Sequence, residues 1–265
     1  MRIAFASARS SPGVTTAVLA LASAWQGKVL LVEASEDGGA LAVRFGLRLE
    51  PGLTTLAAAI RHDADAATVP AHVQVLPGTD GRLEVLVGPP TPESAHLLLR
   101  NAGDRLATTV AQLVDRSVLI DAGRLPAQPA ALPFLTGADR VVLIARPRAE
   151  DLQTLALRLP TLRELGIQPR LVLVGDVPYK PDEIAATLGI TVIGVLADDR
   201  SAADALAGVG ASRRLDRSRL LRSAASMLSR LMAPEAATAT TPQAPIGAPD
   251  DWTSASVWAG KAAGR

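Results

Sequence analysis

The residues with the clearest chemical use fall within the first 25 positions. The segment FASARSSPGVTTAVLALASAW, from Phe5 to Trp25, runs from an apolar stretch through a small-residue loop with Gly13 into a helix that opens with Thr15 and Thr16. Such a loop aims backbone N–H groups and the positive end of a helix at one spot, which suits a phosphate. Ordinary strand-to-helix turns use the same glycine, proline and serine, so the loop alone leaves both readings open. Other chemistries are excluded by composition. The chain has no cysteine, hence no thiolate nucleophile, disulfide, iron–sulfur cluster or cysteine-bound zinc. Its lysines are Lys28, Lys180 and Lys261, and none stands in the loop. His62, His72 and His96 sit in unrelated segments without acidic partners at ligand spacing, so neither a metal nor a catalytic role is expected of them.

The elements that must position this loop are legible as alternating patterns. Apolar runs at 2–6, 28–33, 72–76, 83–87, 117–121, 140–145, 170–174 and 190–195 are rich in Val, Ile and Leu without polar alternation, as buried parallel strands are. Helical stretches are expected at 15–26, 53–61, 92–114, 149–165, 181–188 and 200–208. Strand, helix and strand in succession imply right-handed crossovers onto one mostly parallel sheet with helices on both faces, a doubly wound α/β fold. Ligands of such sheets bind at the carboxyl ends of the strands. The loops to search are therefore 7–16, 33–39, 121–126, 145–150, 175–181 and 196–200.

The 265 residues carry 27 Lys plus Arg against 26 Asp plus Glu, and 48% are hydrophobic. That balance argues for a packed globule rather than a bulk polyanion binder. No apolar run has the length of a membrane span and the N-terminus lacks an export pattern, so a cytoplasmic protein is expected. A last helix is expected over 211–232, with arginines at 213, 214, 217, 219, 222 and 230 flanking an apolar face. It reads as a closing helix, or as a membrane or DNA contact through Arg213–Met232. The domain is expected to span 1–232, and the Ala/Pro/Thr-rich segment 233–265 to be a disordered tail. There Trp252 and Trp258 form either a docking motif or a light cover for an apolar patch.

The order and spacing of the first loop, VLLVE, SVLIDAG and ADRVVLIARP resemble the ParA/MinD-type ATPases with a deviant Walker A loop, a P-loop NTPase-like family, over roughly residues 1–232. The SPGVTT loop is similar to the divergent TadZ/CpaE-like branch. On the family's Lys-Gly-Gly-x-Gly-Lys-Thr-Thr pattern, the eight positions here are Arg9, Ser10, Ser11, Pro12, Gly13, Val14, Thr15 and Thr16. The resemblance assigns nucleotide contact to Arg9, Ser10, Ser11, Gly13, Thr15 and Thr16, and Mg2+ to the Thr15 hydroxyl. Val14 stands where the phosphate-binding lysine belongs. Arg9 takes the place of the lysine that reaches a partner's nucleotide in a dimer.

The family's Asp-x-Asp after the second strand corresponds to Glu33 and Ser35, and its Walker B aspartate to Asp121, with Gly123 beside the terminal phosphate. Glu33 and Asp121 are thus the candidate catalytic carboxylates and Asp121 a second magnesium position. A buried strand-end aspartate could instead cap the following loop. Gly175 and Asp176 replace the family's base-binding asparagine, LADD at 196–199 replaces its apolar-Pro turn, and Pro178 with Tyr179 could shape a base pocket or simply pack. The implied protein binds ATP or ADP with Mg2+, hydrolyses slowly or not at all, and forms a homodimer. It serves a division, partitioning, secretion or Tad-type pilus apparatus, in the cytoplasm or at the inner face of the membrane. The alternatives are a pseudo-ATPase scaffold and a DNA- or membrane-binding protein acting through its arginine helix.

Overall fold

The computed structural model describes residues 1–9, 12–209 and 215–233. In chain order the elements are β1 (Arg2–Ser7), α1 (Val14–Ala24), β2 (Val29–Glu33), α2 (Leu41–Phe45), α3 (Leu53–Ala59), β3 (Gln74–Val75), β4 (Leu83–Leu86), α4 (Pro92–Ala111) and β5 (Ser117–Arg124). They continue with α5 (Leu132–Thr136), β6 (Arg140–Ala145), α6 (Ala149–Glu164), β7 (Arg170–Val174), α7 (Pro181–Leu188), β8 (Val192–Leu196), α8 (Arg200–Leu206) and α9 (Arg219–Met232). One eight-stranded sheet is formed, in the order β3-β4-β2-β5-β1-β6-β7-β8. Every neighbouring pair is parallel except β3 with β4. The doubly wound architecture expected from the alternating pattern is the one observed.

Side-chain alternation along the strands divides the core into two layers. Ile3 and Phe5 of β1 face α1, α2, α8 and α9, whereas Ala4 and Ala6 face the layer built from α3 to α7. The helices begin where the sequence supplies caps. Thr91 accepts from the Ser94 N–H at the start of α4, with Pro92 at the first position and Glu93 in the first turn. Ser218 does the same for the Leu221 N–H at α9. The apolar face of α9, carried by Leu220, Ala224, Met227, Leu228 and Leu231, is buried against α1 and β8. Gly194 of β8 makes room for it, since a Cβ there would lie 2.9 Å from Met227 Cε.

Several boundaries differ from expectation. The run 72–76 was expected as a parallel strand, but Ala66–His72 winds into a 3-10 turn and leaves only the antiparallel Gln74–Val75 pair. Pro70 and the Asp65 side chain, which accepts from the Ala67 N–H, favour that turn. The helix expected from 211 begins at Arg219, preceded by a 3-10 turn at Leu215–Arg217. Neither α2 nor α5 was anticipated. Ser10, Ser11, Arg213, Arg214, Trp252, Trp258 and the rest of the expected tail beyond Ala233 lie outside the described residues.

Candidate functional site

Gly13 ends the first loop at φ +94° and caps α1, a left-handed conformation that glycine adopts without a Cβ clash. Its carbonyl accepts from the Ala17 N–H at 2.8 Å, so the helix starts directly after the turn. The Thr15 side chain donates to Asp121 Oδ2 at 2.6 Å, and Thr16 is partly exposed beside it. Val14 is more buried than either threonine. It is buried in the apolar layer that holds Phe5, Ala17 and Leu41.

Asp121 lies near the carboxyl end of β5 and is buried. Its other oxygen accepts the Gly123 N–H at 3.0 Å. Burial pushes its pKa above the ordinary carboxylate value, while the Thr15 hydroxyl, the Gly123 amide and the Arg44 guanidinium pull it back. Gly123 sits at φ +61°, and a Cβ there would collide with the Ser35 hydroxyl. The loops after β2 and β5 therefore touch at Ser35 and Gly123. The Ala34 N–H also donates to the Asp121 carbonyl at 2.8 Å.

Glu33 is the register partner of Asp121 on the adjacent strand. Its carboxylate is fully engaged: Oε1 accepts from the Ala40 and Leu41 N–H groups at 2.7 and 2.9 Å, and Oε2 from the Gly88 N–H at 2.9 Å. Burial raises its pKa and these three amides oppose the rise. The fit requires glycine at two neighbours, because a Cβ on Gly39 would lie 2.5 Å from Glu33 Oε2 and one on Gly88 2.6 Å from the Glu33 carbonyl oxygen. In this geometry Glu33 fixes the loop after β2 and the start of α2. Glu36 holds the segment before α5 in the same manner, accepting the Ala130 N–H at 2.9 Å with His96 Nδ1 at 3.4 Å.

The cations are distributed unevenly. Arg9 Nε lies 3.7 Å from Asp151 Oδ1 in its own chain, and Asp151 Oδ2 accepts the Arg146 N–H at 3.2 Å. Arg124 is paired with Asp37 at 2.9 Å. Arg146, which follows β6, has its Nε buried without a hydrogen-bond partner among the described residues. Arg44 on α2 is half-buried and makes no side-chain hydrogen bond or ion pair among them. Neither arginine was singled out in the sequence. No local spacing signals that α2 would bring a charge near Asp121.

Other expected residues are placed away from this cluster. Tyr179 is buried in the opposite apolar layer with Ile184 and Leu188, so its ring serves packing. His72 Nδ1 lies 2.8 Å from the Thr55 hydroxyl. Among the described residues no group of three or more His, Asp or Glu side chains is arranged to hold a metal.

The residues present fit a magnesium nucleotide incompletely. The Thr15 hydroxyl and the Asp121 carboxylate are the hard oxygen donors Mg2+ and its waters prefer. The unpartnered Arg146 Nε is a buried donor suited to an acceptor such as a phosphate or ribose oxygen. Val14 contributes nothing to an anion.

No family model matches the sequence, and no curated protein matches it. The solved structures do. The chain is similar to a ParA family ATPase from Chlorobium tepidum at a TM-score of 0.72 and 18% identity, covering 88% of this chain and 99% of that one. It is similar to the septum site-determining protein MinD of Pyrococcus horikoshii, complexed with Mg-ADP, at a TM-score of 0.69 and 16% identity over 87% and 95% of the two chains. A plasmid partition protein from Borrelia burgdorferi bound to AMPPNP matches at 0.63 and 15% identity over 87% and 97%. The fold is therefore that of the ParA/MinD ATPases.

Proposed function

We propose that this chain is a ParA/MinD-type positioning factor that binds ATP or ADP with Mg2+ at the Gly13 loop and turns it over slowly or not at all. The observation that carries the reading is the Thr15–Asp121 hydrogen bond of 2.6 Å at the start of α1. It joins the two side chains that the family resemblance assigns to magnesium. The bound ion would offset phosphate charge. The Gly13 turn and the first turn of α1 would direct N–H groups at the phosphates, with Arg9, Ser10, Ser11 and Thr16 along the same loop and Gly123 leaving space for a terminal phosphate. Glu33 acts as the anchor of the β2 loop. Ser35 offers no carboxylate to orient an attacking water, and Val14 no charge to stabilise transfer, so hydrolysis is slow.

The same reading places two copies together around nucleotide, with Arg9 released from Asp151 toward the partner, and the domain over residues 1–232. The apparatus served is of the division, partitioning or Tad-type pilus class, the last following from the TadZ/CpaE-like loop. The setting is the cytoplasm or the inner membrane face. Since the apolar side of α9 is consumed by its own core, contact with a membrane or DNA falls to exposed arginines such as Arg222 and Arg230. Trp252 and Trp258 remain a docking motif for the apparatus.

Burial of Val14 favours a second reading, a scaffold that recruits partners without nucleotide. Calorimetric titration of concentrated protein with ATP and ADP, with and without Mg2+, separates the two. Magnesium-dependent binding is expected, and its absence assigns the chain to the scaffold class.

A further inference from the structure

We propose that Glu36 is a positioning residue of the nucleotide site, one that ties the two loops meeting at Gly123 to α4 so that occupancy there is felt at His96. The inference rests on the nucleotide reading and adds what sets the shape of the site and how its state reaches the outer face of a helix.

Glu36 is a buried carboxylate that the binding scheme leaves unused. It follows Ser35 directly in the loop after β2. Its Oε2 accepts the Ala130 N–H at 2.9 Å, in the segment that leads from β5 to α5. The same oxygen lies 3.4 Å from His96 Nδ1 on α4. One carboxylate thus touches three elements that are distant in sequence. Backbone contacts brace the same set. Gly38 of the β2 loop sits against the start of α4, where a Cβ would lie 3.1 Å from the Pro90 carbonyl oxygen, and the Gly39 N–H donates to the Pro89 carbonyl at 2.7 Å. Gly103 of α4 faces Pro133 and the Ala130 carbonyl, which leave a Cβ only 3.4 and 3.6 Å.

The Ser35 side chain closes on Gly123, one residue before Glu36, so its place depends on where Glu36 is held. A second link between these loops, the Asp37–Arg124 pair, has side chains 48% and 43% exposed and is open to screening. A buried amide donating to a carboxylate is the stronger tether. A gap at Gly123 that is already formed spares a ligand the cost of ordering two loops. A ligand that fills it in turn restrains Ser35, then Glu36, then the imidazole beside it. The His96 side chain is 54% exposed, so the change is displayed on the surface of α4.

The test uses the full chain, with calorimetric titration of ATP and ADP in the presence of Mg2+ and NMR of the imidazole signals, which His96→Gln assigns among the three histidines. Glu36→Ala is expected to weaken ATP by about fivefold to tenfold and ADP by about twofold or less, since the two differ at the terminal phosphate that the resemblance puts beside Gly123. The Ala130 amide should exchange about tenfold faster in that variant. Glu36→Gln keeps an oxygen for the one amide it must hold, and is expected to recover most of the wild-type ATP-to-ADP ratio. ATP·Mg2+ should shift the His96 signal in the wild type and not in Glu36→Ala, with His62 unmoved in both. Thermal melts confirm that the variants are folded; should the alanine variant fail to fold, Glu36→Leu, of similar bulk without an acceptor, replaces it. If Glu36→Ala keeps the wild-type ATP-to-ADP ratio, or if ATP moves the His96 signal equally without Glu36, the assignment is overturned while the nucleotide reading stands. If the wild type binds neither ATP nor ADP, both fall together.

Discussion

A lysine at position 14 would have to leave the apolar packing that Val14 completes with Phe5, Ala17 and Leu41. Val14→Lys is therefore expected to lower the stability of the nucleotide-free protein by about 1–3 kcal/mol, and to bind ATP·Mg2+ more tightly than the wild type. Chemical denaturation paired with titration reads both effects. Asp121 gives a second expectation. Its folded pKa is raised by burial, so the stability it contributes is full below the unfolded value and is lost as pH rises through the folded one. Asp121→Asn in metal-free protein should thus gain on the wild type as pH rises above the ordinary carboxylate range, and a melting-temperature difference that does not change with pH would contradict this. The Gly13 turn into α1 was legible from its place between an apolar strand and a helix, and the family resemblance already paired Thr15 with Asp121, which are hydrogen-bonded to each other. The burial of Arg146 Nε without a partner among the described residues was not legible, because it depends on what packs around β6 in space and no spacing encodes it.

Glu33 shows how one side chain can define an element. The five residues of α2 contain too few turns to show a periodicity, and its amides are organised by a carboxylate eight residues upstream of Leu41. Glu33→Gln turns an amide N–H toward backbone N–H donors in either orientation. A loss of about 1–3 kcal/mol is expected, with faster hydrogen exchange at Ala40, Leu41 and Gly88. Unchanged exchange at those amides would show that α2 is held by packing alone. At the opposite end of the same layer, Gly194→Ala forces Met227 to move and should cost about 1–3 kcal/mol in the wild type, but little in a Met227→Ala background. The strands were readable because buried parallel strands are continuously apolar. The short β3 was misread because its neighbour segment spends the same residue types on a 3-10 turn.

The whole molecule couples these elements through stability. A ligand that binds only the folded state adds RT ln(1 + [L]/Kd), about 2.7 kcal/mol at a hundredfold excess over Kd. Saturating ATP·Mg2+ is accordingly expected to raise the melting temperature of the wild type by several degrees and that of Asp121→Asn by less, as differential scanning calorimetry would record. The doubly wound topology was legible because alternation of strand and helix runs the length of the described chain. The division of helices between the two layers was not, since it depends on which side each crossover takes. One edge of the sheet also limits how copies of this protein can associate. β3 offers two residues, runs antiparallel to β4, and follows a tight turn that carries proline. A strand from another molecule finds almost no backbone donors or acceptors there to align with, which guards that border against runaway edge-to-edge aggregation. Growth of an assembly by sheet extension is closed on that side, and association across that border is left to loops and helix surfaces, where it can be reversed.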